Sequence, residues 1–327
     1  MRRIIVILSF ILVVLVFLSS CSINNYTGSD SGIRSGEQNG ETENIQTNSG
    51  KSLNDISNSS ENNTVIKNIV EQQSKTSLIN EEGITVQERI MVPEGYKRVD
   101  VEKGSFGEYL RNLPLKPHGS KVKYYDGSIK SKDVHVAVLD IDVGDRDLQQ
   151  CADAVMRLWA EYLFSRGEYD RIHFNFTNGF RADYSTWMKG NRIRVEGNNA
   201  YWVKQGEYSE EYKVFRDYMD MVFAYAGTLS LSQEMKKIPL EEMQPGDVFL
   251  KGELPGHCVI ILDMAEHEET KEKIFIIAQS YMPAQDIHIL KNYDNPEDNP
   301  WYPVNFGDVL NTPEWNFTRD QLFRFDS

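Results

Sequence analysis

Two apolar runs, HCVIILD over residues 257–263 and KIFIIAQ over 273–279, flank a strongly polar stretch, AEHEETKEK. That pattern predicts an antiparallel hairpin of largely buried strands. Pairing Asp263 with Lys273 across the turn also pairs His257 with Gln279, which sets their side chains about 5 Å apart on one face. A slip of one residue would part them. A helical period governs GDRDLQQCADAVMRLWAEYLFSRG, where apolar positions recur at 148, 151, 152, 155, 158, 159, 162 and 163. Asp147 and Gln150 have capping-box spacing and Gly167 is the stop, which places Cys151 in the first turn or just beyond.

The remaining pattern completes one domain over residues 86–327. EEYKVFRDYMDMVFAYAGTLSLSQEM reads as a second helix with Tyr212, Phe215, Met219, Val222 and Phe223 on its core stripe. A short helix is expected near Ser105 to Leu113, and strands in KVKYYDGSIK, DVHVAVLDIDV, IHFNF and VFL. The aromatic tail, with NPWYPVNF and TPEWNF, reads as a loop packed across the sheet. No internal repeat or composition break interrupts this region.

The N-terminal part has a different character. Arg2 and Arg3 precede an apolar run from Ile4 to Leu18, and Leu18-Ser19-Ser20-Cys21 resembles a bacterial lipobox. This predicts a signal peptide over residues 1–20, a lipid on Cys21, and export to the cell envelope, since the run is shorter than a spanning helix needs. Residues 21–85 are rich in Asn, Ser, Gly, Thr and Glu, as expected of a disordered tether. The formal net charge is −14, about −16 once Arg2 and Arg3 are removed, so nucleic acid is a poor partner.

Candidate chemistry centres on cysteine and histidine. An amide side chain beside an imidazole can fix its tautomer and leave one nitrogen to accept a proton. Cys151 near a helix N-terminus, where free amides and the helix dipole favour a thiolate, is the candidate nucleophile. The same position lies on the apolar stripe, where cysteine is also a small core residue. No G-x-S-x-G elbow offers a serine alternative. His135 and His173 read as strand residues, the latter a rival base. Arg181 and Trp187, in an aromatic and arginine-rich stretch, are candidates for binding a glycan or peptide. No metal or other cofactor is expected, because the six histidines lack paired ligand spacing.

The order of a cysteine at a helix start, a P-G-D-V-F strand, G-H heading an apolar strand and a polar residue closing the next resembles the papain-like NlpC/P60 and CHAP cell-wall hydrolases. That resemblance implies an α+β, papain-like fold with the cysteine helix packed on an antiparallel sheet. It implies Cys151 as nucleophile, His257 as base and Gln279 as its orienter. Backbone amides near Cys151, helped by Gln149 or Gln150, would hold the oxyanion, and the substrate would be a cell-wall peptide or glycopeptide. A closer similarity, on LQQCADAV, HFNFTNGFR, DYMDMVFAYAGTLSLS, GDVF, PGH and AQSYMPAQDIHIL, is to the DUF4846 family of bacterial lipoproteins, which names no activity.

Three readings of the site remain open from sequence. Cys151 and Cys258 are free thiols with Cys151 in a dyad, two unrelated buried cysteines, or a disulfide. Strand alternation sends residues 257 and 258 to opposite faces, so if His257 meets Cys151, Cys258 should face away. The alternatives to a hydrolase are a non-catalytic glycan- or peptide-binding lipoprotein and a scaffold with Cys151 in its core.

Overall fold

The computed structural model describes residues 77–295 and 299–326; the signal segment, Cys21 and most of the tether lie outside them. Residues 77–85 already belong to the fold, since Ile79 bridges Ile90 and Leu78 packs on the core. The architecture is α+β, built on an antiparallel sheet. Its strands run in the order His135–Val138, His288–Leu290, Lys273–Gln279, His257–His267, Val248–Lys251, Leu322–Arg324, Lys236–Lys237. Tyr96–Arg98 pairs with the far end of the histidine strand, and Tyr302–Pro303 with the start of the glutamine strand.

Both faces of this sheet are covered, which explains the unbroken apolar runs. Cys258, Ile260 and Leu262 join one core with the cysteine helix, Cys151–Ser165, and the helix Tyr212–Tyr225. Val259 and Ile261 join a second core with Tyr302, Leu310, Phe317 and Leu322 of the tail. The tail is therefore more than a loop. It contributes the strand Leu322–Arg324 to the main sheet and forms a ribbon of Val309–Asn311 with Asn316–Thr318.

Several boundaries differ from the sequence expectation. The cysteine helix starts at Cys151 with Gln150 as N-cap, and Asp153, not Gln150, is the acidic partner whose Oδ2 accepts from the Gln150 amide at 3.0 Å. Gly167 does take the left-handed conformation that ends the helix, with φ of 70°. The long second helix is two, Tyr212–Tyr225 and Thr228–Glu234, parted by extended backbone at Ala226 and Gly227. KVKYYDGSIK is a tight turn closed by a single bridge of Lys123 with Ile129, since Asp126 and Gly127 supply turn chemistry inside the apparent alternation.

The hairpin register also differs, and the difference matters. Lys273 pairs with Glu266 rather than Asp263, because the histidine strand continues to His267 and the turn shrinks to residues 268–272. Residues Ala265 to His267, assigned to the polar turn from sequence, are strand residues that pair on their other side with Tyr96–Arg98. Ile276 faces Asp263 but Ile277 faces Ile261, so Leu262 is an extra residue, a β-bulge. Continued without the bulge, the register would set Gln279 across from Ile260, on the face opposite to His257. The bulge moves it across from Val259, which shares the face of His257.

A buried charge cluster is built at the same bulge. Asp263 is fully buried and both its oxygens are held, by Arg98 at 2.6 Å and Arg111 at 2.5 Å. Arg111 also donates to the Val99 carbonyl at 2.6 Å, and Arg98 to those of Gln87 and Ile90. Removing the carboxylate leaves two guanidinium groups facing each other with little solvent. Asp263→Ala is expected to cost about 3–5 kcal/mol in urea unfolding. A loss below about 1 kcal/mol would show that the cluster does not hold the bulge.

Candidate functional site

The sheet brings three of the sequence-predicted residues to one end. His257 begins its strand and Gln279 ends the neighbouring one, and they meet through His257 Nε2 and Gln279 Oε1 at 2.9 Å. Both side chains are buried. They are diagonal rather than directly opposed, as the bulged register requires. Cys151 stands at the first position of its helix, and its sulfur lies against the backbone amides of Ala152, Cys151 itself and Cys258, the residue after His257. Tyr281 lies beside His257, its ring 4.8 Å from the imidazole, and burial, then the charges of Glu314 and Cys151, raises its hydroxyl pKa.

Both cysteines are free thiols. Cys258 is buried on the helix side of the sheet, near Cys151 and Asp153. His257 points to the other face, against the rings of Trp315 at 5.2 Å and Phe317 at 6.1 Å. The alternation therefore holds: Cys258 turns to the side of Cys151 and His257 to the opposite face, and this strand meets the Cys151 sulfur through the Cys258 amide. The sulfur sits at the strand end, beside the backbone that joins them.

Hydrogen-bond donors and acceptors determine the orientation of this network. Gln279 Nε2 donates to Glu314 Oε2 at 2.7 Å, and that carboxylate also meets Lys130 Nζ at 2.9 Å. A carboxylate accepts only, so the Gln279 nitrogen faces Glu314 and its oxygen faces His257. His257 must then carry its proton on Nε2, which leaves Nδ1 as the basic nitrogen. On the other side, His288 Nδ1 donates to the Asp286 carbonyl at 2.8 Å, so its Nε2 is an acceptor, 3.5 Å from the same Gln279 amide nitrogen.

The electrostatic state of Cys151 and His257 departs from the sequence expectation. Burial, and next the nearby Asp153, push the Cys151 thiol up to about 11, against the amides of Ala152, Cys151 and Cys258. Burial likewise brings His257 down to about 4, although its bond to Gln279 and the charge of Glu314 act the other way. The expected lowering of the thiol pKa is thus corrected. Desolvation outweighs the helix terminus, and at neutral pH Cys151 is a neutral thiol and His257 a neutral imidazole.

The other candidates are distributed as follows. Gln149 is fully buried; its oxygen accepts from Arg157 Nη1 at 3.0 Å, while its Nε2 is sealed without a partner. Gln150 spends an amide hydrogen on Asp147 at 3.0 Å. Trp187 is a core residue, its indole N–H bonded to the Val214 carbonyl at 3.1 Å and its face covered by Arg192. Arg181 is exposed and paired with Asp183 at 2.7 Å. His173 is bonded to the Arg171 carbonyl at 3.1 Å, and His135 to that of Ser120 at 3.0 Å. Neither is hydrogen-bonded to the His257 network.

Sequence reasoning missed Glu314, Lys130, Tyr281 and His288. The one available signal was charge in apolar surroundings: a glutamate inside TPEWNF, and a histidine inside the apolar run IHIL. Among the described residues, no group of three or more His, Cys, Asp and Glu side chains could hold a metal ion, and no helix is long and apolar enough to cross a membrane. The family model for the domain of unknown function 4846 matches residues 86–324. No curated protein and no solved structure matches the chain.

Proposed function

The chain belongs to the DUF4846 family, and from the site it carries we propose that it is an envelope-tethered, papain-like cysteine hydrolase of cell-wall peptide or glycopeptide amides, anchored by a lipid on Cys21. The observation that carries the reading is the His257–Gln279 hydrogen bond beside a cysteine at a helix start. Cys151 attacks the amide carbonyl carbon while its proton passes to His257 Nδ1; the imidazolium then protonates the leaving amine, and water hydrolyses the thioester. The amides of Cys151 and Ala152 are the donors for the oxyanion, while Gln149, sealed in the interior, braces Arg157 instead. Gln150 contributes by capping the helix.

Incubating the full chain with solubilised cell-wall fragments should release new amino and carboxyl termini detectable by mass spectrometry. Wild-type protein that yields none across a panel of envelope peptides would overturn the reading. The neutral resting pair favours a second reading, a non-catalytic peptide- or glycan-binding lipoprotein. Exposed Arg181 remains a contact candidate in that case, and fragment binding would then survive loss of the Cys151 sulfur.

A further inference from the structure

We propose that Glu314, braced by Lys130, is a positioning residue for His257: it fixes which way the Gln279 amide points, and through that amide which imidazole nitrogen is the base. The inference rests on the Cys151–His257 reading for its catalytic meaning, but its geometry stands independently. Gln279 is buried, so its amide cannot turn to water for partners. Its two faces are chemically alike apart from their neighbours, and an amide flip would interchange oxygen and nitrogen with almost no change in shape.

Glu314 supplies the asymmetry. Its Oε2 accepts from Gln279 Nε2 at 2.7 Å and from Lys130 Nζ at 2.9 Å, and its side chain is 9 % exposed. Lys130 is itself buried and makes one further bond, to Gln285 Oε1 at 3.0 Å. An amide flipped in place would point its oxygen at the carboxylate and its N–H at His257. The first contact is repulsive, and the second would require Nε2 to lose its proton and Nδ1 to gain one, which would leave no basic nitrogen at Nδ1. His288 reinforces the same choice, because its acceptor Nε2 faces the Gln279 nitrogen at 3.5 Å. A carboxylate delivered by the tail thus acts on the imidazole through one intervening amide.

The test is the neutral imidazole tautomer, read by nitrogen-15 chemical shifts on full-length protein labelled at histidine, with His257 assigned from a His257→Asn spectrum at pH 8. Wild-type His257 is expected to be the Nε2–H form; an Nδ1–H form there overturns the proposal without any further variant. In Glu314→Ala, Lys130 loses its carboxylate and recruits the Gln279 oxygen, so the Nδ1–H form should appear. Amide hydrolysis should fall about 10- to 100-fold, by analogy with the loss of outer-shell partners that orient metal-bound histidines. Glu314→Gln keeps an acceptor and should retain the Nε2–H form. Where Glu314→Ala does not fold, Glu314→Ala with Lys130→Ala removes the orphaned cation, and a mixture of tautomers is expected. An unchanged, pure Nε2–H form in either alanine variant overturns the role of Glu314. The tautomer needs no substrate to be measured. A correct tautomer without hydrolysis would therefore sink the hydrolase reading and leave the positioning role standing.

Discussion

Cys151→Ala is expected to abolish hydrolysis of envelope amides, with a loss on the order of 10³-fold or more, while the melting temperature stays within a few degrees of wild type. The size follows from chemistry that has no substitute: in the proposed reaction the sulfur forms the bond to the carbonyl carbon, and alanine leaves only binding and oxyanion donors behind. The fold should tolerate the change because Cys151 is only half-buried and alanine is a good helix former at the helix start. Hydrolysis retained by the variant would sink the nucleophile assignment, and fragment binding unchanged in a wild type that cleaves nothing would favour the binding reading. His257→Ala is the matching control, since it removes the base and keeps the sulfur.

How much of this was legible in the sequence depended on the range of the interactions. The apolar period around Cys151 marked its helix, and the two apolar runs marked the hairpin, because burial on one stripe or on both faces leaves a local signature. The helix start slipped because Asp147 and Asp153 both have the spacing of a capping partner for Gln150. Only the local backbone decides between them. The His257–Gln279 contact was anticipated through a register that the structure does not have. The wrong turn and the missing bulge compensate in parity, an even displacement of two residues, so the two side chains still share a face. A bulge at Leu262 is invisible in the local pattern, because it is specified by Arg98 and Arg111 converging on Asp263 from more than 150 residues away. The carboxylate behind Gln279 was missed for the same reason. Lys130 and Glu314 are distant in sequence, and each looks like an ordinary loop charge until the sheet unites them.

The pH profile of Cys151 alkylation separates a neutral resting dyad from a preformed ion pair. With the thiol pushed up to about 11 and the imidazole down to about 4, neither group is charged between pH 5 and 9. Against an ordinary cysteine near 8.5, the thiolate at pH 7 is about 300-fold scarcer. Each thiolate is about 10-fold more nucleophilic, by the usual dependence of reactivity on basicity. Iodoacetamide should therefore label Cys151 about 30-fold more slowly than a free cysteine at pH 7, and the rate should climb about tenfold per pH unit until it levels near 11. Peptide mapping by mass spectrometry distinguishes this site from Cys258, which is fully buried and should react only on unfolding. A rate that is already level at neutral pH, and drops in His257→Ala, would mean a thiolate–imidazolium pair and would refute the neutral ground state. The expected profile places deprotonation inside the substrate complex. In the proposed reaction the carbonyl oxygen there collects the amide donors, and the proton leaves sulfur for Nδ1 as the new bond forms. A site that waits for its substrate before ionising is also protected from oxidation, since oxidants, like iodoacetamide, react with the thiolate.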